Sequence, residues 1–552
     1  MPKERGTYFD FWKIITIAIT VLFVFFLIYP LITLFISGFR DAHTNEWTLS
    51  YFKTFFTKRF YYRALLNSFS VTITVTALSI LVGLPLAYFM TAHKIRGKNL
   101  VEILIIISMM SPAFIGAYSW VLLGGRNGVI TKFISGIIGH QAPPIYGFGG
   151  ILLVFTMKLY PFIYMYASGA LKKVDMSLIE AAEGLGCSGV KRLFTLIIPV
   201  IMPTVFAGSL LVFMNALADF GTPMLIGEGY ITMPVLIFNE FINEVGGQAN
   251  FAASMALIMV FITAVLFLLQ KYYINKKSFT MSSLRPIPVT NVKGIKNILM
   301  HGFIYLVVFI AIIPQLTVIY TSFLNTNRMI FIPGYSFNSY RMVFSNLGTA
   351  IKNTYTFGLT ALLLIVIMGM LIAYITTRRR NALTSVIDSV TMLPYIIPGS
   401  VLGITLLLAF NKPPVLLSGT GIIIIIVFIM RRMAYTIRSS AAILYQISPS
   451  IEEASISLGV PPAKTFFKVT MVMMLPGVFS GAILSWITII NELSASVILY
   501  TTRTRTMAVA IYAEVIRASY GTAAALSTIL CVTTIISLLI FFKISGKREV
   551  SI

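Results

Sequence analysis

Charge is what this 552-residue chain has least of: 11% of its positions are Asp, Glu, Lys or Arg, against 57% hydrophobic. So few charges cannot clothe a water-soluble surface of this size, and the mean hydropathy of +0.90 places the chain in a bilayer. Acidic groups are the scarcest, 18 against 42 basic, which leaves a net charge of +24. A surplus of that sign can mark nucleic-acid binding, but here the bases lie in short turns between apolar runs and form no stripe. They are read as anchors on anionic membrane lipid, and no nucleic-acid partner is expected. Two cysteines, Cys187 and Cys531, exclude a disulfide framework. The four histidines, His43, His93, His140 and His301, do not cluster with them at ligand spacing, so no metal site and no cofactor is expected. A phosphate-cradling GxxxxGK[ST] loop is also missing. The nearest stretch, Leu458-Gly459-Val460-Pro461-Pro462-Ala463-Lys464-Thr465, lacks both glycines, and its paired prolines remove backbone donors. The chain is therefore expected to be no enzyme, with no catalytic residue, and any ATP hydrolysis must occur on another chain.

What is present is a series of apolar runs, each near the length that crosses about 30 Å of hydrocarbon. Twelve are legible, at about 14–38, 67–91, 100–123, 149–170, 200–222, 250–270, 299–322, 353–377, 386–410, 420–442, 476–498 and 521–542. The first is longer than a signal-peptide core and lacks an obvious cleavage site, so it is read as a retained helix. Most Lys and Arg fall in the odd-numbered intervals, counting the N-terminal segment as the first, which predicts that both termini face the cytoplasm. The interval 39–66 is an exception, with Arg40, Lys53, Lys58, Arg59 and Arg63 on the outer side.

The runs repeat. Residues 67–91 align without gaps on 353–377, with 7 of 25 positions identical, among them Asn67/Asn353, Gly83/Gly369 and Tyr88/Tyr374. Further on the offset falls from 286 to 273, so the first half carries 13 extra residues, expected in the Gly- and Pro-rich outer loop 124–148 that faces the short 411–419. Six spans per half insert the same way round. The chain therefore divides into a first repeat (1–270), a cytoplasmic linker (271–298) and a second repeat (299–552): an all-α membrane protein of about twelve transmembrane helices in two parallel six-helix repeats.

One polar segment is used twice. Glu180-Ala181-Ala182-Glu183-Gly184-Leu185-Gly186 returns 273 residues later as Glu453-Ala454-Ser455-Ile456-Ser457-Leu458-Gly459, each copy after the fourth span of its half. The alanines favour helix and keep the surface low, Glu180 and Glu453 offer anions to a basic partner, and Gly186 and Gly459 let the chain turn. A single such match would equally fit an interfacial amphipathic helix. Two in one register indicate a duplicated docking site. Ser455 replaces the second alanine and Val472 stands opposite Pro199, which predicts unequal contacts in the two copies.

Charges within the spans repeat as well. Asp219 maps onto Glu492 and Lys158 onto Arg431 at the 273 offset. Ions at such depth cost about 2.5–3.5 kcal/mol each on insertion scales, so a symmetric set implies a water-lined axis or mutual pairing. For Lys158 and Arg431 a structural ion pair is favoured; Asp219 and Glu492, read as near the outer boundary, are equally explained as snorkelling carboxylates. Glu102 and Asp388, matched at the 286 offset, are read as interfacial.

The duplicated polar segment resembles the EAA motif of ABC importer permeases. Nearly the whole chain is similar to the fused two-domain type I permeases of the ferric-iron family, through Ser111-Pro112-Ala113-Phe114, Gly125-Arg126-Asn127-Gly128, Leu217-Ala218-Asp219-Phe220-Gly221-Thr222-Pro223 and Asn491-Glu492-Leu493-Ser494-Ala495. That resemblance implies a permease in the bacterial inner membrane. Its partners would be two copies of a cytoplasmic ABC ATPase, docked on Glu180, Ala181, Ala182, Gly186, Glu453, Ala454 and Gly459, and an extracytoplasmic substrate-binding protein. Relatives for 2-aminoethylphosphonate, thiamine and polyamines share the scaffold, and an ion-gradient-driven secondary transporter is the alternative class. The outer loop 223–249, with Glu228, Glu240 and Glu244 and no Lys or Arg, leans toward a cationic cargo or a basic docking surface.

Overall fold

The computed structural model describes residues 11–110, 113–187, 189–242, 248–276, 285, 288–327 and 330–545. Glu244, Ser111, Pro112 and most of the linker's first half lie outside them. The first repeat contains α1 (Phe11–Phe39), α2 (Arg59–Ala92), α3 (Lys98–Met110), α4 (Ala113–Gly124), α5 (Val129–Ile138), α6 (Phe148–Leu171), α7 (Met176–Gly184), α8 (Leu193–Ala218), α9 (Gly221–Ile226) and α10 (Ala249–Lys276). The second contains α11 (Ile295–Ser322), a hairpin of β1 (Leu324–Asn327) and β2 (Ile330–Tyr335), α12 (Gly348–Arg378), α13 (Ala382–Ile396), α14 (Gly399–Phe410), α15 (Gly421–Gln446), α16 (Pro449–Ser457), α17 (Pro462–Ile490), α18 (Ser496–Leu499) and α19 (Tyr520–Ser545).

Among the described residues ten helices are long and apolar enough to cross a membrane, one of them Phe114–Ile138, which takes in α4 and α5 and reaches beyond the run expected at 100–123. The bent pair α13 and α14 makes an eleventh candidate. The twelfth predicted run is α15, whose 26 residues include Arg431, Arg432 and Arg438. Two expectations of straight spans fail. The run at 386–410 is bent by 109° between α13 and α14, where Pro398 has no N–H to give and disfavours helix in the residue before it. The run at 100–123 is likewise two helices, α3 and α4, related to 384–396 and 399–410 by the 286 offset. The all-α reading is corrected only by the small antiparallel hairpin of β1 and β2.

The change of offset is located where expected: α4 ends opposite the end of α14 at 286, and α6 starts opposite the start of α15 at 273. The extra residues are not a bare loop, however. They build α5, whose Val129, Phe133 and Ile137 are exposed, as suits a helix lying against lipid. The residues identical between halves have a shared role. A Cβ on Gly83 would stand 2.8 Å from the Ile163 Cβ, and one on Gly369 would stand 2.8 Å from the Thr436 Cγ2, so each glycine lets its helix touch α6 or α15. Asn67 donates to the Ile231 carbonyl at 3.0 Å and Asn353 to the Arg503 carbonyl at 2.8 Å, pinning the segment that follows the fifth span of each half.

The cores do not follow the repeat boundary. Trp12, Phe23, Leu27 and Leu34 of α1 are buried with Tyr374, Val401 and Phe410 of the second half. Met300, Ile304 and Ala311 of α11 are buried with Leu86, Ile105 and Ile163 of the first. The first helix of each repeat thus packs on the other repeat.

Candidate coupling surface and central cavity

Two short helices, α7 and α16, leave the bundle on one face, here called the coupling face. Their bounds differ by 273 at both ends, from Met176 to Pro449 and from Gly184 to Ser457. Each starts on a side-chain cap: Asp175 accepts from the Ser177 N–H, and Ser448 from the Ser450 N–H. Each stops at a glycine in the left-handed region, Gly186 at φ +77° and Gly459 at φ +83°, where a Cβ would strain the backbone. Glu180, Ala181, Glu453 and Ala454 are exposed, and Ala182 is half-buried. The alignment also places Leu185 and Leu458 at the two tips, 88% and 85% exposed. Sequence reasoning passed over these leucines, although their identity at the same offset was a signal. Each is a bare apolar knob beside a sharp turn.

The copies differ in their supports. The Ser455 hydroxyl shares a hydrogen bond with that of Thr465 at 3.0 Å, so the departure from alanine ties α16 to the start of α17. Glu452, one residue before the second motif, is buried and accepts from the Tyr374 hydroxyl at 2.9 Å and from Arg378 Nε at 3.2 Å. On the first copy the linker intervenes. Arg285 Nη2 donates to Glu180 Oε1 at 3.1 Å, its backbone N–H to Asp175 Oδ2 at 3.1 Å, and its carbonyl accepts from Met176. Glu453 makes no ion pair or hydrogen bond among the described residues. The two motifs thus differ within the chain itself: the first, closer to the ideal pattern, is the one the linker engages.

In the middle of the bundle the runs expected at 200–222 and 476–498 stop early. The helix α8 ends at Ala218 and α9 begins at Gly221; α17 ends at Ile490 and α18 begins at Ser496. The carboxylates in these breaks accept from backbone at the start of the helices that follow, Asp219 Oδ1 from the Thr222 N–H at 3.0 Å and Glu492 Oε1 from the Ala495 N–H at 3.1 Å. They are paired as well. Lys158 Nζ lies 2.9 Å from Asp219 Oδ2, while Arg431 and Arg432 both pair with Glu492. The Glu492 side chain is 1% exposed, which corrects its reading as a snorkelling group at the boundary. Arg432 was missed because the offset sets it opposite Leu159, leaving it without a symmetric partner.

All four predicted path residues, Lys158, Asp219, Arg431 and Glu492, line one cavity of about 790 Å³ between the two halves. Its wall runs from the helix breaks to Gln446, at the coupling-face end of α15. The outer acidic loop is not a free anionic surface: Glu228 is paired with Arg126 at 2.7 Å.

Comparison with known proteins also finds the chain duplicated. The family model described as binding-protein-dependent transport system inner membrane component matches residues 79–278 and again 365–548. The chain belongs to that family. It is a multi-pass permease in which the two copies are fused. The ferric transport system permease protein FbpB of Actinobacillus pleuropneumoniae is 28% identical to this permease, over 97% of this chain and 78% of the relative. The putative ferric transport system permease protein FbpB 1 of Haemophilus influenzae is 27% identical, over 89% of this chain and 78% of that protein. A putative 2-aminoethylphosphonate transport system permease protein, PhnU of Salmonella typhimurium, is 24% identical over 44% of this chain and 85% of its own length. Within this permease the matched regions begin after α1 and after α11, the two helices exchanged between the halves.

Proposed function

We propose that this permease is the membrane subunit of an ATP-driven importer for ferric iron. Two ATPase copies sit on α7 and α16, the coupling face and both termini are cytoplasmic, and an extracytoplasmic binding protein delivers cargo to the opposite face. The observation that carries the cargo is similarity to ferric permeases over nearly the whole chain. The duplicated helix ending in Leu185 or Leu458 supports ATPase docking, since a carrier driven by an ion gradient has no use for two identical knobs on one face. Import of a phosphonate such as 2-aminoethylphosphonate is the second reading, favoured by the arginines of the cavity.

The test is ⁵⁵Fe uptake under iron limitation in a strain lacking the gene. Uptake is expected to return with the intact gene, and not with the Glu180→Ala, Glu453→Ala double variant, which should still insert but lose its ATPase on purification. Undiminished iron uptake in the deletion strain, with loss of growth on an aminophosphonate as phosphorus source, would move the cargo to the second reading. Cargo-stimulated ATP hydrolysis at wild-type rate in the double variant would remove the docking assignment.

A further inference from the structure

The charge census of the cavity does not suit a bare cation. Its lining holds Lys158, Arg431, Arg432 and Arg438 against Asp219 and Glu492. Asp388, beside the lining, answers Arg438 at 2.9 Å, and Asp219 answers Lys158. Glu492 is left to serve two guanidinium groups, Arg431 and Arg432, so one positive charge has no counterpart. Both arginines are largely buried, with side-chain exposures of 9% and 16%. The Nε of each is buried and makes no hydrogen bond among the described residues. A buried ion without a counter-ion is strongly unfavourable, and a guanidinium with spare N–H groups is suited to bind an oxyanion in a fork. The fold makes room for this arrangement at Gly399, where a Cβ would come within 2.6 Å of Arg431 Nη1. Tyr395 and Tyr435 line the same wall. No group of three or more His, Cys, Asp or Glu among the described residues is placed to hold a metal ion.

We propose that the central cavity is an oxyanion site, in which Arg431 and Arg432 bind a phosphate, phosphonate or carboxylate group, and that a metal cargo crosses as its anionic oxyanion complex. The proposal rests on the reading of the cavity as the transport path. The oxyanion has two possible sources, a free anion or the ligand shell of a ferric chelate.

The experiment measures binding to the full chain in lipid nanodiscs, with neither ATPase nor binding protein present, so that its outcome is independent of the docking assignment. The probes are [³²P]orthophosphate without iron, [¹⁴C]citrate without iron, and ⁵⁵Fe–citrate. Saturable binding of either iron-free anion identifies a free oxyanion, whereas binding of ⁵⁵Fe–citrate alone identifies the chelate. In both cases Arg432→Gln, which leaves Arg431 with Glu492 as a matched pair, is expected to weaken binding by about tenfold or more. Arg432→Lys should restore part of it. Glu492→Gln frees both arginines and is expected to tighten binding. If Arg432 is only a structural partner of Glu492, binding in Arg432→Gln will equal that of the parent chain, and the proposal fails. It fails equally if none of the three probes binds saturably to a parent chain that elutes as a single species.

Discussion

Glu452 shows how a single side chain can give one half a connection that the other lacks. It links α16 to α12 through Tyr374 and Arg378, and Arg378 in turn donates to the carbonyls of Leu444 and Ile447 at the end of α15. The 273 offset sets Ile179 at this place in the first half, an apolar side chain that α7 buries. Replacing Glu452 with Ala should strand Arg378, and with both side chains mostly buried the loss is about 2–3 kcal/mol; Glu452→Gln, which keeps a hydrogen bond, should lose about 1 kcal/mol. Thermal unfolding of the purified permease reads the difference, and equal losses in the two variants would mean that the charge is immaterial. Residues such as Lys158, Asp219, Arg431 and Glu492 were legible in the sequence because two copies point at one another. Glu452 and Arg432 were not, since symmetry is blind to a group that only one half possesses.

At the scale of elements, apolar length located most of the long apolar helices but not their shape. A hydropathy window averages across a kink, so the break at Pro398 and the stops at Ala218 and Ile490 were hidden inside runs that read as continuous. Those breaks matter most, because they place two carboxylates on the cavity wall, each holding a backbone N–H. The linker was legible as a basic stretch, yet not as a strap. Thr290 donates its N–H to the Ala92 carbonyl at 2.9 Å and its hydroxyl lies 2.8 Å from His93 Nδ1, while Arg285 reaches Glu180. Arg285→Ala should free Glu180 for the ATPase and raise affinity by up to about fivefold, the scale of an exposed ion pair of ~1 kcal/mol. A titration of purified ATPase onto the permease that shows unchanged or weaker binding would contradict this.

The strap should also respond to acid. Burial lowers the His93 pKa, so the folded strap prefers the neutral ring. Its contribution is intact above the ordinary imidazole value of about 6.5 and is lost as pH falls from there through the lowered value. Amide exchange at Thr290, corrected for intrinsic rate, should accelerate between pH 7.5 and 5.5 in the parent chain and not in His93→Gln; matching pH profiles would assign the change elsewhere.

For the whole molecule, the repeat in the sequence and the cores in space divide the chain differently. Alignment could define two halves, but no periodicity could show that α1 and α11 change places, because a helix that packs on a partner's half reads like any other apolar run. Their exchange predicts that two separately expressed chains, divided within the linker, will co-purify. Truncating the first of them to begin after α1 should abolish that, since lipid can solvate the exposed face but not restore its close packing. Co-purification undiminished by the truncation would show the remaining interface to be sufficient. The exchange also bears on ancestry. In a solitary half the face that its first helix turns to the other repeat would be left open, so we expect the unduplicated ancestor to have worked as a symmetric pair. Joining the genes then added only the contacts of the linker. It made the two copies separately heritable, and a lysine facing one carboxylate could diverge from two arginines facing the other.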